Sequence, residues 1–185
     1  MTVQQFAEMA KEARAKSKKR GFNQSFDLVV TLHNIDIKKH DININDVVYL
    51  AHEFSNKPSV CVFAGEDMAL RAKRGGADRV IEPAELDKNA TDKRELRKIA
   101  KGYSFFLSET TLMAKIGKTL GQYLGPKGKM PAPLPPNAPV ENMIKRFRSA
   151  VRVRSRGQLA VACKVGDESL SDEEVAENAS AIFTA

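Results

Sequence analysis

The sequence predicts a protein of α/β and α+β class in two domains: a discontinuous α+β first domain, residues 1–54 and 134–185, and an inserted α/β second domain, residues 55–133. Three observations predict it. Between Val60 and Leu120 fully apolar strand-like runs alternate with helical stripes, the mark of a parallel sheet covered on both faces. The segments before and after that stretch each hold too few helices and strands to bury a core alone, so they are expected to pack together. The composition also changes twice, at Ser55-Asn56-Lys57-Pro58 and across Pro131, Pro133, Pro135, Pro136 and Pro139, a stretch read as a semi-rigid linker.

Each element has its own signal. Thr2 and Gln5 form a capping box ahead of the stripe Val3, Phe6, Met9, Ala10 and Ala13. That helix runs into Lys16, Lys18, Lys19 and Arg20, which either complement its negative end or face a nucleic acid. Gly21 stops it, and Phe26 to Leu32 reads as a strand. Ile42 and Ile44 alternate with polar residues, and Val47 to Leu50 continues as a β-rich piece ending near Ala51-His52-Glu53. Val60 to Ala64 is a buried strand, Asp67 to Arg74 a helix closed by Gly75-Gly76, and Asp78 to Ile81 the next strand. Thr91 to Lys101 is a basic helix, Tyr103 to Leu107 a buried strand, and Ser108 to Leu120 a helix, which completes a Rossmann-like three-layer unit. Asn137 caps a helix through Ala150 with Val140, Ile144 and Phe147 inward. Val151 to Arg156 alternates as a strand, with Arg152 and Arg154 opposite Val151 and Val153, and is expected to pair with Leu159 to Val165 across Gly157. Ser171 and Glu174 begin a final acidic helix with Val175 and Ile182 inward.

The charge pattern points to a polyanion. The 185 residues carry a formal charge of +7, with a sequence pI near 9.4, and no Asp or Glu occurs from Thr110 to Val140. Within that stretch lies Leu124-Gly125-Pro126-Lys127-Gly128-Lys129-Met130-Pro131, read as a fixed cationic loop. Its prolines lock φ, and its glycines are expected to leave backbone N–H groups open to an anion. On loop statistics alone a solvated connector is the competing reading. A nucleotide-hydrolase phosphate loop fails here, because Tyr123 stands where glycine is required and Met130 where a magnesium-binding hydroxyl is required. A dinucleotide fold fails because Gly65-Glu66-Asp67 puts carboxylates where pyrophosphate would sit. Cys61 and Cys163 sit in apolar runs and are expected to be buried thiols. His33, His40 and His52 lack metal-ligand spacing. No apolar run has spanning length, and the chain is expected to be cytosolic, without membrane, cofactor or metal.

The octapeptide, the proline stretch after it, the segment Gly21-Phe22-Asn23-Gln24-Ser25-Phe26-Asp27 and the helix Arg94-Glu95-Leu96-Arg97-Lys98-Ile99-Ala100 together resemble the ribosomal protein L-one family of the large subunit, its archaeal branch most. The resemblance implies a non-enzymatic protein of the cytoplasmic ribosome, monomeric off it. Its first domain would grip large-subunit ribosomal RNA to form a mobile stalk beside the exit-site transfer RNA. It would assist movement and release of deacylated transfer RNA, and possible repression by binding its own messenger RNA is part of the family pattern. By motif, Phe22, Ser25 and Asp27 fall at the RNA surface. Lys19, Arg20, Arg152, Arg154, Lys164 and Gly166 are further first-domain candidates, with a solvated sheet face the equal alternative for the two arginines. The loop Gly125, Lys127, Gly128 and Lys129 is expected to offer a second surface to transfer or stalk RNA, and Ala51, His52, Pro131 and Pro133 to form the interdomain hinge. The family has a further strand after the last helix seen here, so the reading frame is expected to continue past Ala185.

Overall fold

The computed structural model describes residues 1–33, 44–155 and 157–185; His40, Ile42 and Arg156 lie outside them. In chain order the elements are α1 (Val3–Lys16), β1 (Ser25–Thr31), β2 (Asn45–Tyr49), β3 (Val60–Phe63), α2 (Glu66–Arg74), β4 (Arg79–Ile81), α3 (Pro83–Asn89) and α4 (Lys93–Gly102). They continue with β5 (Phe105–Glu109), a 3-10 turn (Thr110–Leu112), α5 (Met113–Thr119), α6 (Gly121–Leu124), β6 (Ala132–Leu134), α7 (Val140–Arg148), β7 (Ala150–Arg154), β8 (Ala160–Asp167) and α8 (Asp172–Thr184). The fold is mixed α/β, with parallel and antiparallel sheets. It divides into two compact units, one made of Met1–Lys57 with Ser149–Ala185, the other of Pro58–Arg148.

In the first unit both helices start at capping boxes, Thr2 with Gln5 and Ser171 with Glu174. β1 pairs antiparallel with β8, and β2 with β7. Among the described residues no ladder joins β7 to β8, so the hairpin expected across Gly157 is replaced by pairing of each strand with one from the N-terminal segment. Register explains the choice. β1 alternates exposed and half-buried along its length, so Leu28 lies opposite Cys163 and Val30 opposite Val161, burying both apolar rows together. Phe6 and Ala10 of α1, Val175, Ala176, Ala179 and Ile182 of α8, and Val151, Val153, Val161, Cys163 and Val165 of the strands form one core, which Leu50 and Phe54 complete.

The second unit is a parallel sheet in the order β4-β3-β5-β6. Cys61, Phe63, Ile81 and Phe106 pack with Leu86, Leu96, Ile99, Ile116, Leu120 and Leu124 of α3 to α6 on one face. By alternation Val60, Val62, Phe105 and Leu107 point to the other face, where α2 and α7 contact the sheet. Both cysteines are buried, and burial pushes the Cys61 thiol up to about 12 and the Cys163 thiol to about 11.

Two expectations change here. Residues 134–148, expected in the first domain, lie in the second unit. The Phe147 ring meets that of Phe105 at 5.3 Å, tilted by 56°, and Arg148 reaches Asp78 at 2.8 Å and donates to the carbonyls of Pro58 at 3.0 Å and Gly76 at 2.6 Å. Gly75 admits α7 because a Cβ there would meet Glu141 Cα at 3.0 Å. The proline stretch is also more than a linker. Ala132–Leu134 forms β6, with Pro133 opposite Ser108. Proline is tolerated because β6 is the border strand and its missing N–H faces no neighbour. Pro131 and Pro133 thus sit inside the second unit, and the return crossing falls at Arg148–Ser149.

Candidate nucleic-acid interface

The candidate site lies on the first unit. Because Val151, Val153, Val161, Cys163 and Val165 all point into the core, the alternate side chains Arg152, Arg154 and Lys164 point to the opposite side of their strands. A bulge shapes this surface. The β1–β8 register moves from Phe26↔Gly166 to Asp27↔Lys164, leaving Val165 as the extra residue. Residues three apart on a regular strand face opposite ways, but the bulge sets Lys164 opposite Asp27 and Asp167 opposite Ser25, on one side.

Asp167 is 2% exposed and organises its surroundings. It accepts from the Ser55 N–H at 3.0 Å and the Ser55 hydroxyl at 2.6 Å, and from the N–H of Ser169 at 3.2 Å and its hydroxyl. Burial works against its charge, but the hydroxyls of Ser169 and Ser55, then their N–H groups, outweigh it and hold the carboxyl down at about 2. Asn23 Nδ2 in turn donates to Ser55 Oγ at 2.7 Å. Lys164 Nζ stands 3.7 Å from Asp167 Oδ2 and 4.7 Å from the Phe54 ring centroid, so its stem and charge are both fixed. Asn23, Ser25, Ser55, Asn56, Lys164 and Asp167 line a cleft of about 440 Å³. Ring, amide, hydroxyl and ammonium groups are thereby gathered at one end of β1, a set suited to ribose hydroxyls and phosphate.

Of the residues read from the sequence, the structure brings Ser25, Asp27 and Lys164 together. Phe22, in the preceding loop, is 63% exposed, so it is no core side chain; Lys19 and Arg20 are exposed in the same stretch. Arg152 and Arg154 are half-buried on β7, two apart, and the Arg152 guanidinium is held below its ordinary value by burial and then by the Arg154 charge. Gly166 differs: it is buried, and a Cβ there would lie 2.7 Å from Val175 Cγ2 and 3.4 Å from Leu170 Cδ1, so its place is packing against α8. Gly166→Ala is expected to lower stability by about 1–3 kcal/mol through overpacking, read as a fall in the urea midpoint. Ala51 is exposed, while His52 is tied to α8: its N–H donates to Asn178 Oδ1 at 3.1 Å and its Nε2 lies 2.7 Å from Glu177. Sequence reasoning missed Asn23, Ser55 and Asp167. Ser55 marked only a change of composition and Asp167 carried no signal, and only the fold brings them together.

The octapeptide loop of the second unit is used differently from the expectation. Its N–H groups are not open: Lys127 N donates to Leu124 O at 3.2 Å, Gly128 N to Gly125 O at 2.8 Å and Lys129 N to Leu124 O at 2.9 Å, closing the end of α6. Gly128 has φ +64, and a Cβ on Gly125 would lie 2.9 Å from the Gly121 carbonyl, which accounts for both glycines. Lys129 Nζ donates to Tyr103 O at 2.5 Å, and Lys127 Nζ to Ala100 O at 3.4 Å, so both ammonium groups cap the negative end of α4.

Hydroxyl, amide and cationic groups thus share one surface of the first unit, with α1 and α8 packed on the core behind it. The family model described as Ribosomal protein L1p/L10e family matches residues 12–185, and the chain belongs to that family, whose members are structural and non-enzymatic. It is 46% identical over 178 residues to the large ribosomal subunit protein uL1 of Thermofilum pendens, covering 95% of this chain and 79% of that one. It is also 46% identical over 177 residues to uL1 of Cenarchaeum symbiosum, covering 96% and 81%, and 38% identical over 184 residues to uL1 of Methanosarcina barkeri, covering 100% and 86%. No helix of the described residues is long and apolar enough to cross a membrane.

Proposed function

We propose that this chain is a structural protein of the large ribosomal subunit that holds large-subunit ribosomal RNA on the outward side of its first unit. Its place of work is then the ribosome. Family membership supports the setting, and the fixed Asn23–Ser55–Asp167 chain beside Ser25 and Lys164 is the observation that carries the site. In this reading Ser25 and Asn23 meet ribose 2′-hydroxyls, Asp27 accepts from a hydroxyl or a guanine edge, and Phe22 lies against a sugar or base. Lys164, Arg152 and Arg154 take phosphates, with Lys19 and Arg20 on the approach. The two units act as domains, the second a Rossmann-like insertion, and the pair forms the mobile stalk that attends exit-site transfer RNA. A messenger RNA of the same contour would occupy the same surface and be repressed by it.

Filter binding of a stalk RNA fragment at several salt concentrations tests the reading. Lys164→Ala is expected to lower the slope of log affinity against log salt by about 0.7–0.9, one phosphate contact. Ser25→Ala is expected to weaken the specific RNA more than random RNA. A flat salt response of the wild-type chain would refute the proposal, and equal loss on both RNAs would remove Ser25 from recognition.

A further inference from the structure

The second unit holds a cleft of about 390 Å³ whose walls are Arg97, Ala100 and Lys101 of α4, Gln122 and Tyr123 of α6, and Pro126 and Lys127 beyond it. That volume lies within the range of about 300–1,000 Å³ usual for ligand sites. Its floor is apolar, from Ala100, Pro126 and the Tyr123 ring, and its rim is cationic. The Arg97 guanidinium carbon stands 5.9 Å from the Tyr123 centroid, an Arg–aromatic pair at one wall. Helical spacing extends the rim: Arg94, Arg97, Lys98 and Lys101 recur at three and four residues along α4, and all four are exposed. Among the described residues only Lys98 of these four is paired with a carboxylate, Glu95 at 3.4 Å. The opposite wall comes from the stretch Thr110 to Val140, which has no carboxylate at all.

We propose that this cleft is a second, separate RNA site that takes one unpaired nucleotide, its base lying on the Tyr123–Pro126 floor and its flanking phosphates on Arg97 and Lys101. The proposal rests on the reading that the chain works on RNA. A flat apolar floor beside a guanidinium suits a planar base, since base–aromatic stacking tolerates any sequence while the cations track the backbone. An acidic peptide would find the charge but no use for the floor. A free mononucleotide would use the floor but leave the α4 stripe beyond Arg97 idle. The lysines that cap α4 hold this wall in place, because Lys127 Nζ is bonded to Ala100 O, the residue at the cleft floor.

The test is fluorescence anisotropy of the full chain with a labelled twelve-nucleotide oligouridine and with a base-paired stem. Arg97→Gln/Lys101→Gln, both exposed positions, is expected to reduce the oligouridine salt slope by about 1.4, two single-strand contacts, and its affinity about tenfold, with stem binding unchanged. Tyr123→Leu is expected to weaken oligouridine at least fivefold without altering the slope. Variants that match the wild type on both RNAs would overturn this site while leaving the first-unit reading intact. Displacement of oligouridine by polyglutamate or by uridine monophosphate at equal charge concentration would overturn it in favour of an acidic peptide or a free nucleotide. Failure of the wild type to bind either RNA would overturn both readings.

Discussion

Phe147→Ala is expected to destabilise the second unit by about 3–5 kcal/mol, the usual cost of emptying a buried aromatic position. Phe147 is 4% exposed and its ring meets Phe105 at 5.3 Å, on the sheet face that also takes Val140 and Ile144. Arg148, next in the chain, is held by Asp78 and by two carbonyls of the same unit, so the end of α7 has no freedom to follow the cavity and fill it. The location of the damage is as informative as its size. Amide exchange should accelerate across residues 58–148 while the amides of α1, α8 and their strands keep their protection, because the two units have separate cores. Loss of protection in α1 and α8 instead would place α7 in the first unit after all.

Asp167→Ala is the second large effect, expected at about 2–4 kcal/mol at neutral pH, since the substitution orphans donors from Ser55 and Ser169. Its pH dependence has a definite sign. The folded carboxyl is held at about 2 against an ordinary 3.8, so the folded state favours the ionised form. The resulting stabilisation, about 2 kcal/mol, is fully present above the ordinary value and drains as pH falls through the folded one. The advantage of the wild type over Asp167→Asn in urea should therefore shrink by about 1 kcal/mol on going from pH 5 to roughly pH 3. An advantage that grew on acidification would refute the assignment. Ser55 Oγ also loses its acceptor in Asp167→Ala, releasing the Asn23 amide that it orients, so RNA affinity is expected to fall together with stability.

Much of this molecule can be read from periodicity and punctuation. The capping boxes at Thr2 and Ser171, the apolar runs at Val60 and Phe105, and the alternation of Val151 and Val153 with two arginines are local signals, and the structure has each of them. What periodicity lacks is the identity of the partner. The stripe Val140, Ile144 and Phe147 states that α7 buries a face but not against which sheet, and so α7 went to the wrong side of the boundary. Strand pairing failed for the same reason, since a short hairpin over Gly157 satisfies local rules while the register of β1 with β8 depends on residues more than a hundred positions apart. The octapeptide shows a subtler limit. Its glycines and lysines stand out in the sequence, yet lysine chemistry serves a helix carbonyl as readily as a phosphate, and only coordinates tell that Lys129 reaches Tyr103. The first-unit cleft is half legible: Ser25 and Lys164 are candidates from the sequence, whereas Ser55 and Asp167 carry no signal.

Pro133 in β6 has a consequence for the free chain. Each border of the four-stranded sheet is a place where a foreign segment could dock by backbone hydrogen bonding and begin a fibril. On one border the strand is only three residues, Arg79–Ile81, too short to hold a newcomer in register. On the other a pyrrolidine ring stands midway along an equally short strand, removing a donor that such growth requires. The unit thus resists polymerisation at both margins.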